Sequence, residues 1–484
     1  MHRESCPPSK IPCYRLASTD SHRSTPTFYE WEGYDLNGNL MRRKRGYKLD
    51  DFAFASVFLK QLTPMLADLI EVAHAVHTID RLSPRRIAHN GWPRELRLRI
   101  QVRDPDRWNS LQLSLEMLLG RYTDDLWKLE FVSRAGIERT SELQKPLFTG
   151  GEDNVARPLQ VCLFSGGLDS LNGAVRQLLV DGHIQLICVA GSTNSWIGDR
   201  QAYLVRSLAL RFGARVTLLP VLFNLEQPTE TWSEESTQRT RGFIHLVIGA
   251  IAAVLAAVDK LTIHENGVGA LNLPYSPGQL GTQLTRATHP LVLAEASEWL
   301  SSYLESPFRV QGSSLSLTKA KASVALIEAE LGHLIGDTFS CDGFQRVAGR
   351  PQCGTCTSCL LRRQAVHAAG LTQYDPADRY CLDVTDPSCA IPENHRDGLR
   401  LMLEQRDVLG SCLSAGDPWS ALMGEFPALW DLQSRVNEWN AVGGPNPLDS
   451  TLVDMYRSYV TEWEHFPVDS FPYRGIFTGS ASAV

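Results

Sequence analysis

The alternation of apolar and polar positions is most regular between residues 159 and 267. Short apolar runs at 159–164, 184–190, 215–223 and 260–264 are separated by segments of helical periodicity at 169–181, 199–212 and 240–258. This β-α-β-α-β-α-β succession predicts a parallel sheet covered by helices, which is an α/β fold. Because parallel strands joined by right-handed crossovers end at the same edge of the sheet, we expect a ligand to bind along that edge.

The segment that precedes this core has a mixed pattern. Residues 1–27 are rich in Pro, Ser and Thr and are expected to be flexible. Residues 28–150 combine strand-like and helical pieces, so an α+β domain is expected there. "FYEWEGYDLNG" predicts a strand that runs into an Asn-Gly turn, and the alternating "LRLRIQV" at 96–102 predicts a half-exposed strand. Residues 140–157 have the composition of a linker.

The segment that follows the core, residues 385–484, is predicted to be a helical extension. Near its end one helix face collects large apolar side chains, namely Leu452, Tyr456, Tyr459 and Trp463. This spacing is typical of an amphipathic helix, and Asp449 or Ser450 is the expected cap.

Composition narrows the class of protein. The chain has 484 residues with 43% hydrophobic and 21% charged residues, which is typical of a folded protein of two or three domains. The longest apolar run, at 243–258, is too short to cross a bilayer, and the first residues lack the apolar stretch of a signal peptide. We therefore expect a cytoplasmic protein without membrane contact. The net charge of −7 argues against nucleic acid as a direct ligand.

A polar loop follows the first apolar run of the core. Phe164 ends that run and "SGGLDS" follows, so the loop consists of Ser165, Gly166, Gly167, Leu168, Asp169 and Ser170. Glycines let consecutive backbone N–H groups converge on an anion, and the start of the next helix adds a partial positive charge. Serine hydroxyls can donate to phosphate oxygens, and Asp169 can hold magnesium or order the loop. The loop predicts a pyrophosphate site; the alternative is that the glycines only form a tight turn.

A second cluster consists of cysteines. Eleven cysteines in a chain expected to be cytoplasmic favour metal ligation plus buried thiols over disulfides, with Cys162 and Cys188 expected in the core. Four others are spaced C-x11-C-x2-C-x2-C, namely Cys341, Cys353, Cys356 and Cys359. Four sulfur ligands without an open position predict structural zinc, with Gly354 easing the bend between ligands. An iron–sulfur cluster is the alternative, but the C-x3-C-P run that completes bacterial ferredoxin motifs is absent.

Both clusters resemble one family. "SGGLDS" is the signature of the PP-loop ATP pyrophosphatases, and "CGTCTSCLLRRQAVHAAGL" resembles the zinc-binding segment of the QueC-type 7-cyano-7-deazaguanine synthases. Lys319 in "LTKAK" and Arg241 in "TRGF" match further elements of those enzymes, although Gly242 replaces the asparagine that follows the arginine there. The resemblance covers about residues 158–380.

The resemblance implies a fold and a chemistry. It implies a Rossmann-like core of the adenine nucleotide alpha hydrolase type at 158–335 and a small four-cysteine zinc module at 336–384. The expected cofactors are ATP, Mg²⁺ and structural Zn²⁺. Ser165, Asp169, Ser170 and Lys319 would be catalytic, and Arg241 would bind the nucleotide together with the loop.

The chain also departs from those synthases. Their Tyr-Pro-Asp-Cys-Arg element near the deazaguanine pocket is replaced by "HENGVGALNLPYSPGQLG", and the chain is about twice as long as they are. It is thus more similar to the enlarged QueC-like proteins of bacterial anti-phage defence operons, of the Qat type. Their implied role is to adenylate 7-carboxy-7-deazaguanine and join it to an amine of a protein partner from the same operon. His264, Glu265 and Asn266 are expected to contact this substrate, although a structural role fits them equally well.

Three other functions stay open from the sequence. The chain could be a 7-cyano-7-deazaguanine synthase that uses ammonia and makes a nitrile. It could be a tRNA-modifying PP-loop enzyme, for which the net basic first 150 residues are the main support and for which Cys162 is the cysteine nearest the loop. It could also be an adaptor that binds a nucleotide without catalysis, although the intact loop argues against this.

Overall fold

The fold was analysed in a computed structural model. It describes residues 13–18, 28–34, 40–85, 93–134, 158–226, 234–275, 286–343, 352–386, 388–389, 391–441, 447–464 and 466–467. The chain divides into two compact units, each assembled from several segments. The first unit takes residues within 1–165, 183–263 and 281–311, and the second takes residues within 166–182, 264–280 and 312–484.

Each domain predicted from the sequence is one continuous segment, whereas each compact unit is made of several separate segments. The predicted α+β segment 28–150 falls within the first unit. The predicted zinc module and the helical extension, 336–384 and 385–484, fall within the second unit, and 158–335 contributes to both. The sequence-based domain division therefore stays a prediction.

The described residues contain ten strands in one mixed sheet. Their bounds are β1 Cys13–Ser18, β2 Phe28–Tyr34, β3 Leu40–Leu49, β4 Glu95–Val102, β5 Leu126–Ser133, β6 Leu159–Leu163, β7 Gln185–Ser192, β8 Val216–Leu225, β9 Lys260–Asn266 and β10 Arg309–Ser314. The order across the sheet is β10-β9-β6-β7-β8-β3-β2-β1-β4-β5.

The parallel core predicted from the apolar runs is confirmed. Strand β6 pairs in parallel with β7 and β9, and β7 pairs in parallel with β8. The helices between them span Leu168–Val180, Ser195–Phe212 and Arg241–Leu255. Cys162 and Cys188 face each other in register and are fully buried, as expected for core residues.

One helix start differs from the prediction at Asp199. The helix begins four residues earlier, at Ser195, because the Asn194 side chain caps it by accepting a hydrogen bond from the Ile197 N–H at 3.0 Å. Asp199 therefore lies inside the helix rather than at its start.

The amino-terminal strands continue the same sheet, which the sequence did not indicate. Strand β3 pairs antiparallel with β8, with Leu49 opposite Phe223, and β2 pairs antiparallel with β3. Within the segment expected to be flexible, β1 pairs with β2 and β4, so that expectation is wrong for residues 13–18. The other residues of 1–27, the predicted Asn-Gly turn and the predicted linker at 140–157 lie outside the described residues. Strand β4 alternates between shielded and more exposed positions, as its sequence predicts.

The remaining helices complete the two units. They span Phe52–Phe58, Pro64–Leu82, Pro105–Ser110, Gln112–Thr123, Gly267–Leu271, Pro290–Leu304, Lys319–Glu328, Thr357–Ala368, Asp397–Leu413, Pro418–Glu425, Trp430–Ala441 and Leu448–Glu464. Four helices of the protein are named below: the loop helix (Leu168–Val180), the lysine helix (Lys319–Glu328), the cysteine helix (Thr357–Ala368) and the C-terminal helix (Leu448–Glu464). None of the described helices has the length and apolar character needed to cross a membrane.

The C-terminal helix buries the face predicted from its sequence. Leu452, Tyr456, Tyr459 and Trp463 are each at most 1% exposed. The helix begins at Leu448, so the expected caps Asp449 and Ser450 lie in its first turn instead of preceding it.

Candidate functional site

The loop predicted to bind phosphate connects strand β6 to the loop helix. Phe164 is buried at the end of the strand and Ser165 is exposed. Gly166 adopts φ +82°, a left-handed conformation that favours glycine. Gly167 is the N-cap residue and has no side chain to occupy the start of the helix. The local geometry therefore keeps side-chain bulk away from the helix start, as anion binding requires.

Ser170 orders this loop in the structure. Its hydroxyl donates to the Gly167 carbonyl at 2.8 Å, and the residue is 4% exposed. The sequence-based expectation gave this hydroxyl to a phosphate oxygen. In the arrangement seen here it instead ties the first turn of the loop helix to the loop.

The second unit brings four of the predicted site residues together. Asp169 in the loop helix forms an ion pair with Lys319, the first residue of the lysine helix. The other Asp169 oxygen accepts from Asn266 Nδ2 at 3.0 Å, and the same nitrogen donates to Glu265 Oε1 at 2.8 Å. Lys319 is buried, so its side chain is not a solvated first-turn lysine. His264, Glu265 and Asn266 are the last residues of β9 rather than residues that follow it.

Burial and mutual charge set the protonation of this carboxylate–lysine cluster. Burial first, and then the negative charge of Asp169, raise the pKa of Glu265 to about 8, against the lowering effect of the Lys319 charge. Burial works to lower the pKa of Lys319, but the carboxylates of Asp169 and Glu265 outweigh it and keep that pKa above its usual value. At neutral pH, Glu265 is therefore mostly protonated beside a charged lysine.

The same cluster contains the groups that a nucleotide and a hard cation require. Asp169 offers carboxylate oxygens, the ligand type that Mg²⁺ prefers, and Glu265 becomes such a ligand when it is ionised. Lys319 supplies a positive charge close to the start of the loop helix, where the predicted phosphate site lies. The donor set therefore fits a magnesium-bound polyphosphate.

His264, next to the cluster in sequence, is a neutral histidine that forms a hydrogen bond. Its Nδ1 is 2.7 Å from Ser313 Oγ, while its buried Nε2 has no hydrogen-bond partner among the residues that the structure describes. Burial first, and then the charge of Arg176, lower the pKa of His264 to about 3. Gly173 of the loop helix packs against this ring, because a Cβ at Gly173 would lie 2.1 Å from His264 Cγ. A glycine inside a predicted helix was the sequence signal for this close approach.

Arg241 belongs to the first unit. It is the first residue of the helix Arg241–Leu255 and is exposed. After burial, its charge is the second cause that lowers the pKa of His245, to about 3. The nucleotide-binding role of Arg241 stays a prediction.

A buried glutamine that the sequence analysis missed fixes the start of the loop. Gln201 is 1% exposed, and its amide nitrogen lies within hydrogen-bond distance of three backbone carbonyls. These are the carbonyls of Phe164 at 3.2 Å, Ser165 at 3.3 Å and Gly191 at 3.1 Å. The amide thus ties the chain just after β6 to the end of β7. The available signal was a polar residue on the same helix face as buried Leu204, Val205 and Leu208.

The four predicted metal ligands converge in the second unit. The sulfur atoms of Cys341, Cys353, Cys356 and Cys359 all lie within 4.8 Å of one another. The Cys353–Cys359 and Cys341–Cys356 sulfur pairs are 3.9 and 4.0 Å apart. Sulfur atoms at the corners of a zinc tetrahedron, with Zn–S near 2.3 Å, would be about 3.8 Å apart. The cluster could therefore hold a metal ion, and its geometry fits zinc.

The backbone around these cysteines supports the cluster. The Cys353 N–H points to Cys341 Sγ at 3.4 Å, and the Cys356 N–H points to Cys353 Sγ at 3.3 Å. Gly354 adopts φ +88°, and a Cβ there would lie 1.9 Å from the Leu382 carbonyl oxygen. The bend expected at Gly354 is thus present, and only glycine fits it.

A buried arginine anchors the cysteine helix. Arg362 donates to the Thr338 hydroxyl and to the Ile335 carbonyl, both at 2.7 Å, and pairs with Asp375 at 2.9 Å. The Tyr380 hydroxyl donates to the same aspartate, and the Tyr380 side chain packs beside Cys341 and Cys359. This network holds the helix that carries Cys359, and no local pattern in the sequence indicates it.

Comparisons with known proteins agree with the resemblance drawn from the loop and the cysteines. No family model matches the chain. Among curated proteins, the chain is similar to the 7-cyano-7-deazaguanine synthase of Agrobacterium fabrum (strain C58 / ATCC 33970), with 26% identity over 171 residues. That similarity covers 34% of this chain and 64% of the synthase, so the chain spans less than two thirds of its relative. It supports a distant QueC-like relationship.

Proposed function

We propose that this protein is a QueC-like, ATP-dependent enzyme that adenylates 7-carboxy-7-deazaguanine or a related deazapurine and transfers it to an amine. The observation that carries the proposal is the cluster of Asp169, Lys319, Glu265 and Asn266 beside a glycine-rich loop at a helix start. A buried lysine held by a carboxylate at such a loop suits the cleavage of a nucleotide polyphosphate.

In the proposed first step, a carboxylate oxygen of the deazapurine attacks the α-phosphorus of ATP. The new C–O–P bond forms as the bond between the α and β phosphates breaks, and pyrophosphate leaves. Lys319 and the amides at the start of the loop helix would stabilise the charge on the departing pyrophosphate. Magnesium, when bound, would neutralise part of that charge, with Asp169 as the residue that would hold it.

In the second step, an amine nitrogen attacks the adenylate carbonyl and AMP leaves, forming an amide. The amine loses a proton, and ionised Glu265 is the group of the cluster suited to take it, since its pKa of about 8 lies close to neutrality. The four cysteines would hold structural zinc, which when bound would fix the fold around the cysteine helix.

The acceptor we favour is an amine of a protein partner from the same operon, acting in anti-phage defence. The missing Tyr-Pro-Asp-Cys-Arg element and the extensions at both ends support this choice over nitrile synthesis. A tRNA-thiolating role is less favoured, because Cys162, the cysteine nearest the loop in sequence, is fully buried. A non-catalytic adaptor would not need the buried pair of Asp169 and Lys319.

Intact-mass spectrometry of the reaction tests this proposal. The protein is incubated with ATP, Mg²⁺ and 7-carboxy-7-deazaguanine, either with ammonia or with the protein encoded by a neighbouring gene. We expect the neighbouring protein to gain the mass of the deazaguanine acyl group, and we expect no gain with Asp169→Asn. A free nitrile formed with ammonia would instead show a 7-cyano-7-deazaguanine synthase.

A further inference from the structure

The C-terminal helix contacts the segments that carry the carboxylate–lysine cluster. Glu462 accepts a hydrogen bond from the Thr318 hydroxyl, and the Lys321 ammonium donates to Ser458 Oγ at 2.6 Å. All four residues belong to the second unit. The helix lies in the predicted helical extension, 385–484. The sequence analysis assigned no functional residue to this extension.

Thr318 is the point through which Glu462 can act on the cluster. Its side-chain oxygen accepts from the Lys321 N–H at 3.1 Å and thereby caps the lysine helix. Its single hydroxyl hydrogen is given to Glu462. Because Lys319 is the next residue, the contact fixes the backbone from which the buried lysine side chain reaches Asp169.

The second Glu462 oxygen contacts the cysteine helix. Gln364 Nε2 donates to Glu462 Oε2 at 3.4 Å. Partial burial raises the pKa of Glu462, which agrees with a carboxyl group that contacts two helices. One carboxyl group therefore joins the cap of the lysine helix to the helix that carries Cys359.

The same C-terminal helix lies against the end of β9. A Cβ at Gly267, the residue after Asn266, would lie 3.0 Å from Met455 Cε. The helix thus touches the residue before Lys319 and the residue after Asn266. Lys319 and Asn266, which follow and precede these two residues, are the side chains that contact Asp169 in the cluster.

We propose that Glu462 is a positioning residue, which holds Lys319 in place through Thr318 and makes the C-terminal helix part of the catalytic site. The inference rests on the proposed function in one respect, namely that Lys319 acts on the phosphates of ATP. The side-chain position of Lys319 can be measured without turnover, so the two claims can fail separately.

A double-mutant cycle in turnover is the first test. Glu462→Ala should lower kcat for AMP formation about 10- to 100-fold, the scale of a catalytic group displaced by about 1 Å, with a smaller change in KM for ATP. In the Lys319→Met background the same change should cost less than about twofold, because the lysine it positions is already gone. Thr318→Ser keeps the hydroxyl and should stay close to wild type, whereas Thr318→Val should behave like Glu462→Ala. An equal loss in both backgrounds would overturn the proposal, since Glu462 would then act only on folding.

The second test measures Lys319 directly by acetic anhydride labelling and peptide mass spectrometry. Lys319 should react far more slowly than exposed Lys128 in the wild type and in Glu464→Gln, a change on the exposed side of the same helix. Glu462→Ala should raise the Lys319 rate about tenfold relative to Lys128, because a displaced lysine loses its burial and its ion pair. Unchanged protection of Lys319 would overturn the positioning role, whether or not the wild type cleaves ATP. Protection lost only in Glu462→Ala would support it even if the proposed function failed.

Discussion

Replacing Glu265 with glutamine removes a titration that should be visible in the stability of the fold. The folded-state pKa of Glu265 is raised from 4.5 to about 8. Between these two values the folded protein keeps a proton that the unfolded chain has released. The contribution of Glu265 to stability is therefore fully present below pH 4.5 and is lost as the pH rises through 8.

Three histidines with lowered pKa values act in the opposite direction and must be separated from this effect. The pKa values of His77, His245 and His264 are each lowered to about 3, chiefly by burial. Their contribution is present above the unfolded value of 6.5 and is lost as the pH falls. Since Glu265→Gln leaves them in place, the difference between variant and wild type isolates the glutamate.

The expected size follows from a single proton. Where the folded form binds one more proton than the unfolded form, the free energy of unfolding falls by about 1.4 kcal/mol per pH unit. Between pH 6.5 and 7.5 the wild type should therefore lose about 1 kcal/mol that Glu265→Gln does not lose. The assay is guanidinium unfolding at pH 6.5, 7.0 and 7.5, followed by tryptophan fluorescence and circular dichroism.

Exposed Glu464 provides the matched control. Glu464→Gln, the same chemical change on the C-terminal helix, should keep the wild-type slope of stability against pH. Equal slopes for wild type and Glu265→Gln would refute the reasoning, because Glu265 would then titrate alike in the folded and unfolded chains.

Two glycine substitutions test the packing of the site and of the cysteine cluster. Gly173→Ala places a methyl group 2.1 Å from the His264 ring and should lower the free energy of unfolding by about 1–3 kcal/mol. Gly182→Ala, which meets open space, should leave the melting temperature unchanged. Equal melting temperatures for the two variants would contradict the packing described. Gly354→Ala should reduce the amount of bound zinc, measured by elemental analysis. Gly370→Ala, at a position that also has positive φ but where a Cβ would meet no described atom within 4 Å, should retain its zinc. Loss of zinc from both variants would assign the effect to backbone strain instead of the clash.

Features confined to short stretches of sequence could be predicted. Buried parallel strands appear as continuous apolar runs, so the strands at 159–163 and 185–192 were found within a few residues of their bounds. The glycine-rich loop and the four cysteines were visible because their chemistry depends on local spacing. The start of a helix was placed less well at Asp199, since the cap at Asn194 depends on one side-chain contact.

Contacts between distant segments could not be predicted. The pairing of β3 with β8 adds the amino-terminal strands to the parallel sheet, but antiparallel pairing across so long a stretch of chain leaves no local pattern. Glu462 meets Thr318 across 144 positions, and nothing in either segment indicates the other. In the sequence, Gly173 is only a glycine at an unfavourable position inside a helix. The side chain that requires a glycine there, the His264 ring, belongs to a distant strand.

The products formed from ATP test the central claim most directly. Wild type, Asp169→Asn and Lys319→Met are each incubated with ATP, Mg²⁺, 7-carboxy-7-deazaguanine and ammonia as the amine, and the nucleotides and phosphates are separated by ion-exchange chromatography. We expect AMP and pyrophosphate in equal amounts from the wild type, dependent on the deazapurine, and much smaller amounts from the two variants. Formation of ADP and phosphate, or equal amounts of AMP from all three proteins, would contradict it.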